Sequence, residues 1–208
     1  LVGSEMCIRD RQWVAHFHSG EPFMSQALQG KKILVITANA GIERDELLKP
    51  LEALRAEGAT VIHASIKGGT TQTFKQDTEK DVTVDSDVQL KDVQSAEFAA
   101  LVIPGGTVNA DTLRGDADAQ RLLKEFTEAG KVVAAICHGP WALIDAGVAR
   151  GKTLTSYASV AIDLKNAGAE WVDAQVNQCG ANGWTLITSR KPDDLPAFNK
   201  AIIEALVA

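Results

Sequence analysis

The sequence predicts an α/β fold, a parallel β-sheet covered by helices on both faces, and three observations carry that expectation. At 208 residues, 45 % hydrophobic and 23 % charged, the chain suits one globular domain with a sizeable core. From Lys31 onward, short β-branched runs alternate with amphipathic helical stretches, the pattern of a sheet buried between two helical layers. No internal repeat, low-complexity tract or linker interrupts it.

The elements follow in order. Residues 33–37 form the first strand. Within 43–57, Leu47, Leu48, Leu51 and Leu54 recur at helical spacing until Gly58 stops the helix. A second strand covers 60–66. The stretch 67–92 is polar and rich in Gly, Thr and Asp, with 81–85 alternating as an edge strand does, so a small hairpin excursion is expected there. Residues 99–103 form the third core strand, ended by Pro104-Gly105-Gly106. A helix over 118–129, the central strand over 131–136 and a helix over 140–146 come next. A strand at 153–156, a helix at 160–167, strands at 171–176 and 185–188 and a last helix at 195–207 complete the pattern.

Residues 1–29 are expected to stand apart as an N-terminal extension, leaving 30–208 as the domain. Residues 1–23 have neither helical nor strand periodicity. Residues 1–11, LVGSEMCIRDR, look like translated adaptor read-through, and Met24 is the expected native start. Cys7 is set aside with them, and His16 and His18 are not read as a metal site.

A net charge of −6 with scattered basic residues argues against a nucleic-acid or anionic-membrane surface and favours small-molecule or protein substrates. Cys7, Cys137 and Cys179 are too far apart for a disulfide framework or a metal-ligand spacing. A reducing compartment, the cytoplasm, is expected, with neither metal nor cofactor. No apolar segment reaches the ~18 residues of a membrane helix.

The chemistry points to Ala135-Ile136-Cys137-His138-Gly139-Pro140-Trp141-Ala142. Here an apolar run ends and a helix opens, so a cysteine stands at a strand-to-helix turn. Small residues two before and two after Cys137 match a nucleophile elbow. The His138 N–H would face developing negative charge, and a helix N-terminus would lower the thiol's pKa below ~8.5. The bland alternative, a buried structural cysteine, needs neither the adjacent imidazole nor the Gly139-Pro140 turn. In open sheets the ligand crevice lies beyond the carboxyl ends of the strands. Glu43, Pro104-Gly105-Gly106 and Cys137-His138 meet there.

PGG after the third strand, AAICHGPWALIDAG around Cys137, TSY at 155–157, NAGAEWVD at 166–173 and TSRKPDDLPAF at 188–198 together resemble the ThiJ/PfpI family, over most of the chain from Lys31 to the C-terminus. The resemblance implies a flavodoxin-like fold of the class I glutamine amidotransferase type. It implies Cys137 as nucleophile, His138 as its base or charge partner, and Glu43 as a protonated carboxyl donating a hydrogen bond to the sulfur. Sequence alone would read Glu43 as a first-turn helix charge. Gly105 or Gly106, with the His138 N–H, would form an oxyanion hole. Trp141 and Tyr157 are candidates for lining the pocket.

The family also implies an acid just beyond the glycine pair that reaches the histidine of a neighbouring subunit in a dimer or hexamer. The loop at 107–114 is one residue longer than the usual family loop, so the acid falls on Ala110 when aligned from the glycines and on Asp111 when aligned from Leu113-Arg114. Asp111 is preferred; otherwise it reads as a helix N-cap. The implied activity is cysteine-dependent chemistry on reactive carbonyls such as methylglyoxal or its protein adducts, or peptide cleavage. A redox-sensing or holdase stress protein is the non-enzymatic alternative. Cys179 is read as incidental and His63 as a core or edge histidine.

Overall fold

Strand β1 (Lys32–Thr37) is the axis of the fold. Its residues Leu34 and Ile36 face one hydrophobic core, and Ile33 and Val35 face another on the opposite side, as the two-residue period of a strand requires. The computed structural model describes residues 26–208. Expectations for Met24, Cys7, His16 and His18 lie outside the described residues.

After β1 come β2 (Ala40–Glu43), α1 (Arg44–Ala56), β3 (Thr60–Ser65) and the hairpin of β4 (Gly69–Lys75) and β5 (Glu79–Ser86). The chain continues through β6 (Val88–Gln89), β7 (Ala100–Ile103), α2 (Thr107–Arg114), α3 (Ala117–Glu128), β8 (Val132–Ile136) and α4 (Trp141–Asp145). It ends with β9 (Thr153–Leu154), α5 (Ala161–Asn166), β10 (Glu170–Trp171), β11 (Val176–Cys179), β12 (Thr185–Ser189) and α6 (Leu195–Val207). Seven strands form the main sheet in the order β11-β12-β8-β7-β1-β3-β6. All its pairs are parallel except β11 with β12. This is the flavodoxin-like, mostly parallel architecture expected from the sequence.

Helices cover both faces. Leu122, Leu123 and Phe126 of α3, with Leu143 and Leu164, fill one core; Leu47, Leu51 and Leu54 of α1, with Phe198 and Ile202 of α6, fill the other. Each such side chain contributes about 1.5–3 kcal/mol when fully buried. Asp116 caps α3, its carboxylate accepting the Ala119 N–H at 2.9 Å. No helix among the described residues is long and apolar enough to cross a membrane.

Four local readings change. The helix expected from residue 43 starts at Arg44, because Glu43 belongs to β2. Residues 107–114, read as a loop, form α2. The strand expected over 171–176 is split between β10 and β11, and β11 runs on to Cys179. The hairpin expected within 67–92 joins β2 in a separate three-stranded sheet, β2-β4-β5, which stands over the carboxyl ends of the main strands.

One lysine is part of the interior. Lys152 is fully buried, and its Nζ donates to the carbonyls of Cys179 (3.4 Å), Ala181 and Trp184 (2.7 Å) while lying 3.6 Å from the centre of the Trp184 ring. Three carbonyl dipoles and a ring face replace its water shell.

Candidate active site

Cys137 follows the last residue of β8 with φ 62°, a left-handed backbone that costs a non-glycine residue roughly 1–2 kcal/mol. The surroundings hold it there. Its N–H donates to the Ser189 carbonyl at 3.0 Å, and its own carbonyl accepts the Tyr157 N–H at 2.8 Å. A Cβ on Gly139 would stand 2.7 Å from the Ile103 carbonyl and 2.9 Å from that of Ile136, which is why the turn needs a residue without a side chain there.

His138 Nδ1 lies 3.1 Å from Cys137 Sγ, within reach for proton transfer. The imidazole stacks on Tyr157, with centroids 4.8 Å apart at 26°, and tilts against Trp141 at 5.2 Å. Its Nε2 is 3.5 Å from Thr107 Oγ1 and 3.4 Å from Ser159 Oγ. Burial pushes the His138 pKa below its ordinary value, with Asp77 pulling weakly the other way, so the ring is a neutral base at neutral pH. Tyr157 lines the cleft; Trp141 does not, its Nε1 donating to Asp163 at 2.8 Å.

The carboxyl against the sulfur is Glu46, not Glu43. Glu46 is fully buried in the first turn of α1, and its Oε2 accepts the Gly105 N–H at 2.8 Å. Among the described residues its Oε1 has no nitrogen or oxygen partner, and its remaining polar neighbour there is the Cys137 thiol. Burial raises the Glu46 pKa to about 8, so the group is a neutral acid at pH 7, able to donate to sulfur. Glu43 lies one helical turn earlier and lines the cleft, where its carboxyl meets the backbone of Gln76 and Asp77 at the β4–β5 tip.

Two further expectations change with this. Burial pushes the Cys137 thiol up, a charge on Glu46 would push it further, and the N–H groups of Gly106 and His138 pull it down less strongly. A thiol at rest replaces the expected thiolate, because burial outweighs the two amides and α4 is only five residues long. The Gly105 N–H is taken by Glu46, so the amides left facing the sulfur are those of Gly106 and His138. Gly106 has φ 89°, and a Cβ there would stand 2.1 Å from the Gly41 carbonyl.

Residues 31–205 match the DJ-1/PfpI family. The chain belongs to it. This DJ-1/PfpI protein is 42 % identical over 178 residues to "Protein/nucleic acid deglycase 2" of Escherichia coli, covering 86 % of this chain and 99 % of that one. It is 40 % identical to "General stress protein 18" of Bacillus subtilis, covering 85 % and 98 %. Among solved structures it superimposes on Drosophila melanogaster DJ-1beta with a TM-score of 0.75 at 34 % identity, covering 85 % and 90 %.

In this DJ-1/PfpI domain the sulfur sits at the floor of a cleft of about 730 Å³. Its cations are each matched by carboxylates: Arg44 to Asp45 and Asp81, Lys75 to Asp81, and Lys191 to Asp193. Asp111 is exposed on α2 and does not line the cleft. Sequence reasoning passed over Glu46, Asp77 and Thr107. For Glu46 a signal existed: it continues the buried stripe of Leu47, Pro50, Leu51 and Leu54, and an acid on a helix's core face calls for a reason. Nothing in the sequence brings Asp77 and Thr107 together, because a hairpin from a different sheet joins them.

Proposed function

We propose that the protein is a cysteine-dependent enzyme of the PfpI type acting on reactive carbonyls, including 2-oxoaldehydes such as methylglyoxal and the adducts they form on protein side chains. The observation that carries this reading is the convergence on Cys137 Sγ of a neutral base at 3.1 Å, a buried acid and two backbone N–H groups. Sγ would add to the aldehyde carbon as the thiol proton passes to His138 Nδ1, with the new alkoxide held by the Gly106 and His138 amides. The carbinol hydrogen would then leave as a proton and return to the neighbouring carbon through an enediolate. The first carbon is thereby oxidised to a thioester as the second is reduced to a carbinol. Water then releases a 2-hydroxy acid and restores the thiol.

The relatives named deglycases support the same reading, as does a cleft of a size that accepts a substrate larger than a three-carbon dicarbonyl. The peptidase alternative would direct the same thiol at an amide. The redox-sensing alternative fits less well, because a protonated thiol that is 7 % exposed is a slow target for oxidants. Methylglyoxal consumption without glutathione, run beside peptide cleavage on one preparation with Cys137→Ser as control, tests the proposal. Peptide cleavage alone would replace it, and activity surviving in Cys137→Ser would refute it.

Any part played by Asp111 requires a second copy of the chain. Its exposure together with Val108, one turn earlier on α2 and 55 % exposed, supports an interface there. Cys137→Ser chains co-assembled with Asp111→Ala chains test this. Regained turnover would support a shared site, and none despite subunit exchange would remove Asp111 from it.

A further inference from the structure

The tip of the β4–β5 hairpin is a tight turn in which Gln76 (φ 51°) and Asp77 (φ 62°) both adopt left-handed backbone and the Thr78 N–H donates to the Lys75 carbonyl at 3.3 Å. Two-residue turns of this kind favour Asn-Gly or Gly-Gly, because non-glycine residues are strained there. Asp77 is therefore an uneasy choice for the turn itself. Its carboxylate explains its presence: Oδ1 accepts the Thr107 N–H at 2.8 Å, and Oδ2 accepts the Thr107 hydroxyl at 2.6 Å. Glu43, meeting the backbone of the same two turn residues, helps hold the tip in place.

This pair of bonds has a polarity. A carboxylate only accepts, so the Thr107 proton is committed to Asp77. The Thr107 oxygen then offers His138 Nε2 a lone pair and no hydrogen. Thr107 can bond Nε2 only when Nε2 carries the proton, and the neutral ring must then leave Nδ1 bare, facing Cys137 Sγ. Ser159, the other neighbour of Nε2, can donate or accept and imposes neither form.

We infer that Asp77, acting through the Thr107 hydroxyl, is a positioning residue that fixes His138 in the Nε2–H tautomer and so leaves Nδ1 free to take the thiol proton, all within one chain. The inference rests on Cys137 and His138 being the reacting pair. No acid from a second subunit is needed to set the tautomer.

The test reads the tautomer directly, by 15N NMR of His138 in the full chain, alongside kcat and KM. In the wild-type protein the Nε2–H form should dominate. Thr107→Val should mix the two tautomers and lower kcat by about 10–100-fold with little change in KM, as when a group orienting a catalytic histidine is lost. Thr107→Ser, which keeps the hydroxyl, should restore both readouts. Asp77→Gly should also mix the tautomers, yet it should leave the fold at least as stable, since glycine suits the turn. That separates a role on His138 from a role in folding. An unchanged tautomer ratio in both Asp77→Gly and Thr107→Val would overturn the inference. The NMR readout does not depend on the substrate, so a wrong assignment of the reaction would show as missing turnover in the wild-type protein and leave the tautomer result standing.

Discussion

The Glu46 carboxyl lies fully buried beside the Cys137 thiol, with Oε2 anchored on the Gly105 N–H at 2.8 Å and its acidity weakened to a pKa of about 8. Two groups that would both be anions in strong base share a water-poor pocket. Charge on either disfavours charge on the other.

Turnover should therefore fall on both sides of neutrality. Below the depressed pKa of His138 the ring is protonated and cannot accept the thiol proton. Above about 8, Glu46 ionises and its negative charge opposes the developing thiolate. Glu46→Gln keeps a neutral donor beside the sulfur, so the alkaline limb should vanish while the acid limb stays. A kcat/KM profile that keeps its alkaline limb in Glu46→Gln would assign that limb to another group.

The same substitution should change stability with the opposite emphasis. The pKa of Glu46 is raised from 4.5 to about 8 in the fold, so the folded state holds this proton more tightly than the unfolded chain. The wild-type protein then loses stability from this group as pH climbs from 4.5 to 8, and glutamine does not. Chemical denaturation should show Glu46→Gln gaining on wild type across that window by on the order of a few kcal/mol, with no gain below pH 4.5.

Gly106→Ala should be damaging for two reasons that act together. The methyl group would meet the Gly41 carbonyl at 2.1 Å, and the φ of 89° is unfavourable for alanine. A loss of about 2–4 kcal/mol in thermal or urea unfolding is expected, together with loss of turnover because the Gly106 amide faces the sulfur.

Alkylation of Cys137 should depend on its base. With the thiol protonated at rest, iodoacetamide labelling should slow in His138→Ala and stay unchanged at Cys179, whose sulfur accepts the Thr153 N–H at 3.4 Å far from the imidazole. Equal labelling of Cys137 with and without His138 would show that the ring takes no proton from it.

The sheet, its covering helices and the elbow were legible because they rest on local pattern: periodicity for the layers, and small residues flanking Cys137 for the turn. Glu46 was missed by one helical turn, since Glu43 stands at the same entry to α1 and the stripe of Leu47, Leu51 and Leu54 that marks the inward-pointing carboxyl was read as packing alone. The thiol's direction was misread for a related reason. A helix N-terminus can be read from sequence, but the burial that outweighs it depends on everything stacked above the turn. Thr107 and Asp77 are 30 residues apart, and their contact exists only because the small sheet folds back over the large one.

That division has a consequence for how the protein changes over time. Cys137 follows a central strand buried on both faces, so native-state hydrogen exchange there should report the opening of the whole molecule. The β4–β5 tip is exposed and belongs to a separate small sheet, and it can open and close on its own at far lower cost. A lineage can therefore lengthen, shorten or recharge that hairpin, and so retune what enters the cleft and how readily the imidazole is armed, without disturbing the strand that carries the sulfur.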